Sequence, residues 1–340
     1  MAQLSLGAQP RKKSGNKADQ NNLGYLYLIP AFIVLLVISF YPLFYQLLIS
    51  FTDFQTKDLR LGLASPALNF IGLENYVKIL TGGLPVQDFD FLRVLVFDLW
   101  WAVSNVILHV PAGVLIAVLL NTQGLWFKKI YRAIYILPVV FPPLVVATVW
   151  RNIFDSQYGA MNQALTAIGS IFGAAPVTLR WLEEYQAPIS FLLPGVPLVW
   201  AYYAMLIANF WLGWPFMCVV ATGALQSIPK EMYEAASIDG ATGTQQFFNI
   251  TVPLLRPAML PAAMYGFTTT FNLFGLVFFM TGGGPARATE ILVTFAYDLV
   301  KNQRLYGAAA AFSVIIFIVS TVIFLITNRV TRATESYEGA

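Results

Sequence analysis

Residues 23–52 read LGYLYLIPAFIVLLVISFYPLFYQLLISFT, a stretch without one charged side chain. Because roughly 20 consecutive apolar residues span the hydrocarbon core of a bilayer, this stretch predicts a transmembrane helix. It is too long for the core of a signal peptide, and no small-residue cleavage pattern follows it. We therefore expect it to remain in the membrane as the first span.

Further charge-free runs of similar length follow, at residues 99–127, 133–150, 185–229, 257–286 and 305–328. The whole chain is 58% hydrophobic and only 11% charged, whereas a soluble domain is roughly a quarter charged. We predict an all-α, polytopic transmembrane helical bundle over residues 23–330. Its about six spans lie near residues 24–51, 94–121, 132–152, 198–225, 257–280 and 305–328.

The segments between and beside the spans follow from this pattern. An even number of spans places both termini on one side, and Lys and Arg near the span ends indicate that this side is the cytoplasm. The opposite loops carry nearly as many basic residues, but those loops are longer. We expect a disordered N-terminus at residues 1–22, a cytoplasmic loop at 226–256, an external segment of short surface helices at 155–197, and a cytoplasmic tail at 331–340.

Several kinds of chemistry are poorly supported by the composition. The chain has one Cys and one His, so no disulfide framework and no Cys/His metal site is expected. The basic residues form no continuous stripe, which argues against nucleic-acid binding. Because no P-loop motif occurs, we expect no ATPase site, no bound cofactor and no enzyme activity in this chain.

The loop at residues 226–256 reads QSIPKEMYEAASIDGATGTQQFFNITVPLLR. Ser227 and Pro229 form a helix start and Gly240 a helix stop, which predicts a short helix over residues 228–239. A second helix is expected to begin near Thr244 and to end before Pro253. Small residues at 235–236 would let another protein approach this first helix closely.

This loop resembles the cytoplasmic coupling motif of permease subunits in binding-protein-dependent ATP-driven (ABC) importers. That motif is Glu-Ala-Ala, then Gly, then Ile-x-Leu-Pro, and Val252 stands here where Leu is usual. The resemblance implies a type I ABC importer permease fold, and a loop that inserts into a cleft on an ATPase subunit carrying ATP-Mg. The ATPase-coupling residues it implies are Glu234, Ala235, Ala236, Gly240, Ile250 and Pro253.

A second stretch, residues 209–215, is similar to the maltose-type sugar permeases of the maltose/glycerol-phosphate branch. This similarity implies that Asn209, Leu212 and Gly213 bind substrate. In the fifth span, Phe271 and Asn272, ahead of the run Thr281-Gly-Gly-Gly-Pro285, resemble the Phe-Asn pair that contacts sugar in the same permeases, which implies a substrate role for them too. The chain departs from the maltose pattern at Gly275, where a further Asn is expected, and at Val139 and Pro143, where Tyr and Ser are expected. The implied substrate is therefore a sugar of the maltose/maltodextrin, trehalose or similar oligosaccharide type, with the exact sugar left open.

The resemblance also implies partners and a location. The partners are a second homologous permease subunit, two ATPase subunits and an external sugar-binding protein, assembled in the plasma (inner) membrane of a prokaryote. Two alternatives stay open. Asn209 and Asn272 could instead bond between helices. The protein could also be an ion-coupled secondary transporter, although Asp98 and Asp298 lie near span ends and the middle of each span lacks charge.

Overall fold

The computed structural model describes residues 17–122, 124–189 and 195–331. This part of the chain is helical, without a named strand, which confirms the predicted all-α class. The helices are α1 Lys17–Leu35, α2 Tyr41–Ile49, α3 Glu74–Thr81, α4 Phe91–Asn121, α5 Lys128–Val140, α6 Pro143–Ile153, α7 Ala160–Ile171, α8 Trp200–Gln226, α9 Lys230–Ile238, α10 Gly243–Gln246, α11 Val252–Phe271, α12 Phe274–Met280, α13 Leu292–Lys301 and α14 Tyr306–Thr331.

The membrane spans agree closely with the apolar runs. Among the described residues, 5 stretches are long and apolar enough to cross a bilayer, or 6 if one bent helix pair is a single span. These stretches are Tyr25–Ile49, Phe91–Asn121, Trp200–Gln226, Gly243–Met280 and Tyr306–Arg329. The bundle of about six spans is therefore confirmed, with one span of unusual shape.

The third predicted span, residues 132–152, is not one straight helix. The structure divides it into α5 and α6, which are bent by 97°. Two prolines follow Phe141, which has extended backbone angles with φ −79° and ψ 133°. Phe141 and Pro142 each precede a proline, which disfavours the helical region, and both are extended, so the helix ends there. This stretch is a broken span or a re-entrant loop.

The fifth span begins earlier than predicted and contains a widened turn. The expected loop helix does not end before Pro253. Instead, α10 leads through a π turn at Phe247–Thr251 directly into α11. Within this turn the N–H of Val252 donates to the carbonyl of Phe247. Because a proline ring clashes with the carbonyl four residues earlier, the wider turn accommodates Pro253 without breaking the helix.

The same device occurs in the first span. A π turn at Leu36–Phe40 immediately precedes Tyr41 and Pro42, and the N–H of Tyr41 donates to the carbonyl of Leu36. The helix therefore passes from α1 into α2 despite the proline, with a widened turn between them.

The predicted irregular N-terminus, residues 1–22, lies mostly outside the described residues. Residues 17–22 are an exception, because α1 already begins at Lys17. A helix satisfies its own backbone groups, so it can continue beyond the apolar core into the polar headgroup region. Residues 17–22 were expected to be disordered, and in the structure they are helical. Of the predicted tail, residues 332–340 lie outside the described part.

The pair α4 and α8 forms the centre of the bundle, and α11 packs on both helices. Glycine allows the close approach of this pair. A Cβ added at Gly113 of α4 would collide with the side chain of Met217 and the backbone of Cys218 in α8. Small residues at such contacts allow membrane helices to pack backbone to backbone. The close pairing brings the polar residues of α4 and α8 into contact.

The segment between α6 and α8 lies at the end of the bundle opposite to the loop 226–256. It contains the short helix α7, as expected for a surface helix. Asn162 of α7 accepts a hydrogen bond from the indole N–H of Trp181 at 2.8 Å and donates to the carbonyl of Leu179 at 2.9 Å. The ring of Trp181 packs on Phe154 at 5.0 Å. These contacts attach the segment to the end of α6.

Candidate functional site

A cavity of about 300 Å³ lies where the bend between α5 and α6 faces α8 and α11. The exposed residues Val139 and Tyr265 in its wall show that it is open to one side of the bundle. It combines apolar surface, the rings of Phe141, Phe216 and Tyr265, and a few polar groups at membrane depth. Pockets of this kind suit small polar ligands with apolar faces. The lining residues are His109, Pro138, Val139, Phe141, Pro143, Asn209, Leu212, Gly213, Phe216, Met217, Tyr265, Gly266, Thr269, Thr270 and Leu273.

Asn209, Leu212 and Gly213 all line this cavity. The one-turn spacing along α8 places them on a single helix face. The structure therefore brings together the three α8 residues that the sequence assigned to a sugar site. The other two implied substrate-binding residues, Phe271 and Asn272, do not line the cavity.

Phe271 is 1% exposed and packs among the apolar side chains of the α13–α14 side, stacked on Phe267 at 6.0 Å. Asn272 is exposed at the break between α11 and α12, and its amide donates to the carbonyl of Thr268 at 3.0 Å. Neither residue is among those that line the cavity. Adjacent positions at the end of a helix point about 100° apart, so these two neighbours face different surroundings.

Asn209 is buried and already makes an interhelical hydrogen bond. Its amide donates to the side-chain oxygen of Asn105 in α4 at 2.8 Å, and Asn105 donates in turn to the carbonyl of Trp101 at 2.7 Å. The backbone carbonyl of Asn209 lies 3.0 Å from Nε2 of His109. Asn209 therefore belongs to a polar network between α4 and α8 and also borders the cavity.

The space beside Gly213 is taken by His109. A Cβ added at Gly213 would overlap the imidazole ring of His109. The glycine thus makes room for a neighbouring side chain of the same protein. Gly213, which the resemblance implies for substrate binding, therefore lies at the cavity wall and packs against His109.

Two departures from the maltose pattern also lie in the cavity wall. Val139 and Pro143 both line it, where the maltose-type pattern has hydroxyl groups. On the α11 side, the hydroxyl of Thr269 donates to the carbonyl of Tyr265 at 3.0 Å. The ring of Tyr265 is 59% exposed. The wall therefore offers more apolar surface and fewer free hydroxyl groups than the maltose-type pattern.

The loop helix α9 has the turn that its sequence predicts. Gly240 has φ +81°, a left-handed conformation that favours glycine. The N–H of Ala241 donates to the carbonyl of Ala236 at 2.9 Å, which closes the end of the helix. Glu234 and Ala235 are exposed, and so is Ile238, at 87%. The helix presents charged, small and apolar side chains to its surroundings.

Side-chain hydrogen bonds join α9 to the start of the fifth span. The hydroxyl groups of Tyr233 and Thr251 lie 2.9 Å apart, and the amide of Gln246 donates to the hydroxyl of Ser237 at 2.9 Å. These bonds hold α9 against the π turn that contains Ile250 and precedes Pro253. A displacement of α9 would therefore act directly on α11.

Asp98 bears on the ion-coupled alternative. It is fully buried in α4, and one carboxylate oxygen accepts the backbone N–H of Leu292 at 3.0 Å, at the start of α13. Acceptance of such an N–H is a helix-capping interaction. Within the described residues, no group of three or more His, Cys, Asp or Glu side chains is arranged to hold a metal ion. One oxygen of the Asp98 carboxylate thus has a structural partner, while its other oxygen is buried without a hydrogen bond among the described residues.

Sequence reasoning did not identify Asn105. Its available signal was a lone amide four residues before His109 in an apolar span, since intramembrane polar residues usually face the bundle interior. The bond partner could not be identified in the same way, because Asn105 and Asn209 lie on helices far apart in the chain.

Known proteins resemble the chain in both sequence and fold. A family model described as binding-protein-dependent transport system inner membrane component matches residues 109–336. The galactooligosaccharides transport system permease protein GanP of Bacillus subtilis is 30% identical over 307 residues, covering 87% of this chain and 68% of the relative. The trehalose/maltose transport system permease protein MalF of Thermococcus litoralis is 30% identical over 319 residues, covering 93% and 97%.

A solved structure agrees at the level of the fold. A chain from the crystal structure of a bacterial ABC transporter involved in the import of the acidic polysaccharide alginate superposes with a TM-score of 0.71. The sequences are 20% identical, and the match covers 94% of this chain and 98% of that chain. The helices described above are therefore arranged as in an ABC importer permease.

Proposed function

Since the chain belongs to the family of binding-protein-dependent transport system inner membrane components, we propose that it is one permease subunit of an ATP-driven oligosaccharide importer. The observation that carries the substrate class is the cavity between α8, α11 and the bend of α5 and α6. It places Asn209, Tyr265 and Thr269 beside apolar wall at membrane depth. Sugars present hydroxyl groups and apolar ring faces, which such a wall can bind.

Two relatives favour an oligosaccharide over a single sugar unit. The names of the Bacillus and Thermococcus relatives refer to galactooligosaccharides and to trehalose and maltose. The cavity of about 300 Å³ is at the small end of the range for small-molecule sites. A second, homologous permease facing this wall would enlarge it, so that the two subunits enclose the substrate together.

Coupling to ATP is proposed to run through α9. The exposed face that carries Glu234 and Ala235, together with the exposed Ile238, is suited to docking on an ATPase subunit. The part of this loop that contains α9 would then lie in the cytoplasm, with ATP-Mg bound by two partner ATPase subunits. The Tyr233–Thr251 contact of 2.9 Å would transmit a displacement of α9 to the π turn and to α11.

Transport then follows alternating access. Closure of the ATPase dimer would shift α9 and α11, open the cavity to the outside, and let an external binding protein deliver sugar. ATP hydrolysis would reverse the shift and release sugar inward. The bent pair α5 and α6 forms one cavity wall and can change its angle without unfolding a straight helix.

The test is uptake by reconstituted vesicles containing this chain, its co-expressed partner permease, the ATPase and the binding protein. We expect uptake of a labelled maltooligosaccharide or galactooligosaccharide that requires both ATP and the binding protein. Uptake without ATP, driven instead by an imposed proton or sodium gradient, would support the ion-coupled alternative. ATP-dependent uptake of amino acids but of no saccharide would reject the sugar class alone.

A further inference from the structure

A second cavity, of about 480 Å³, lies between α4 and α11 near the loop 226–256. Its walls are apolar apart from one charged residue, Arg256. We call it the α4–α11 groove. Its lining residues are Val110, Pro111, Val114, Leu115, Phe247, Phe248, Val252, Leu255, Arg256, Met259, Leu260 and Ala263.

The groove has the length of a lipid chain in one leaflet. Its α11 residues run from Val252 to Ala263, a rise of about 16 Å at about 1.5 Å per residue. One leaflet contributes half of a hydrocarbon core of about 30 Å. The groove therefore extends from the membrane surface to about the middle of the bilayer.

Arg256 lies one helical turn, about 6 Å, inside the surface end of the groove at Val252, and it has no counterion among the described residues. Its side chain is exposed, and the ion pairs found among the described residues do not include it. An arginine at the end of a span holds its charge in the headgroup region while its methylene groups pack on apolar surface. At this position it can pair with a phosphate.

We propose that the α4–α11 groove binds one acyl chain of an anionic phospholipid, with the lipid phosphate paired to Arg256. Basic pockets between transmembrane helices are suited to anionic head groups. A helix of a second subunit in the groove would cover Arg256 and would have to supply an acidic residue beside it. A phospholipid supplies the apolar chain and the negative charge in one molecule.

The pairing of Arg256 with a lipid phosphate is tested by native mass spectrometry of the assembled transporter that contains the full chain. The complex is titrated with phosphatidylglycerol and, separately, with phosphatidylcholine of the same acyl chains. We expect about fivefold preferential retention of phosphatidylglycerol, the size of effect that one surface arginine provides. Arg256→Gln should abolish the preference, and Arg329→Gln, at an exposed arginine near the end of α14, should keep it. An unchanged preference in Arg256→Gln would overturn the proposal.

The place of binding is tested with phosphatidylglycerol that carries a photoreactive group in its acyl chain. We expect crosslinks to residues 110–115 and 252–263, and at least a threefold loss of them in Ala263→Leu, which fills the groove. Because Ala263 is only partly buried, folding should survive. Crosslinks confined to other helices would reject the groove as a lipid site. A crosslink from the variant Leu260→Cys to a second permease subunit would also reject the groove as a lipid site.

Discussion

The imidazole ring of His109 in α4 fills the space that any side chain at Gly213 in α8 would occupy. The Nε2 atom of the same ring lies 3.0 Å from the backbone carbonyl oxygen of Asn209. One polar side chain thus bridges the two central helices at the point where they border the cavity. The His109 ring fits between the two helices because residue 213 has no side chain.

The first prediction follows from this pair. Gly213→Ala should lower the stability of the complex by about 1–3 kcal/mol, because the new methyl group must displace a packed ring. His109→Ala in the same chain should restore much of the loss, since the space is then free. Thermal unfolding of the purified complex measures both effects. Gly223→Ala, in the same helix with no atom within 4 Å of its new Cβ, is the control and should be neutral or slightly stabilising.

Gly213→Leu is a stronger form of the same change and should block transport. If packing is the cause, the amount of assembled complex falls together with uptake. Equal stability of Gly213→Ala and Gly223→Ala would contradict the packing role of Gly213.

A second prediction separates the two roles of Asn209. Asn209→Ala and Asn105→Ala each remove the 2.8 Å bond between α4 and α8, and each should lower stability by about 1 kcal/mol. Only Asn209 lines the cavity. We therefore expect Asn209→Ala to raise the KM for sugar uptake several-fold, while Asn105→Ala leaves KM near the wild-type value. Matching KM values in the two variants would assign Asn209 to helix packing alone.

The third prediction concerns the end of α9. Gly240 has φ +81°, and a Cβ added there would meet nothing within 4 Å, so backbone strain and not space opposes substitution. Gly240→Val should strain the turn by about 1–2 kcal/mol, move α9, and abolish sugar-stimulated ATP hydrolysis by the complex. The subunit should still reach the membrane. Gly243→Ala, also without a close neighbour but with a helical backbone, should retain the stimulation.

A fourth prediction concerns pH and the segment between α12 and α13. Burial raises the pKa of Glu290 to about 7, and the facing guanidinium of Arg287 opposes but does not cancel this effect. Arg287 also pairs with Asp298 at 3.0 Å, so one cation serves two carboxylates. The pKa of Glu290 in the unfolded chain is lower, near 4.5. Between these two values the folded state holds the proton and the unfolded state does not.

Stability should therefore fall as pH rises from about 4.5 through about 7, by on the order of 1–3 kcal/mol. Thermal unfolding of the purified complex between pH 5 and pH 8 measures this slope. Glu290→Gln should flatten it, because the amide does not titrate. A slope that persists in Glu290→Gln would show that another group causes it.

Features that depend on contiguous residues were predictable. Transfer of a span into lipid depends on the composition of one continuous segment. The charge-free runs therefore located the first, second, fourth and sixth spans within a few residues, whereas the fifth begins earlier than predicted and the third is bent. Local backbone chemistry likewise predicted the left-handed turn at Gly240. Three α8 residues that the resemblance implied for substrate binding share one cavity wall, and their spacing of about one helical turn explains why they share a face.

Other features depend on contacts between distant parts of the chain. The 97° bend between α5 and α6 is one such feature. The burial of Phe271 and the exposure of Asn272 are another, because they depend on which helices pack against each side chain. The pairing of Asn105 with Asn209, and of His109 with Gly213, joins residues of α4 and α8 that no spacing rule connects. Membrane insertion depends on the transfer of each single segment from water into lipid. The walls of a cavity depend instead on how different segments pack against one another, and only the tertiary structure determines that packing.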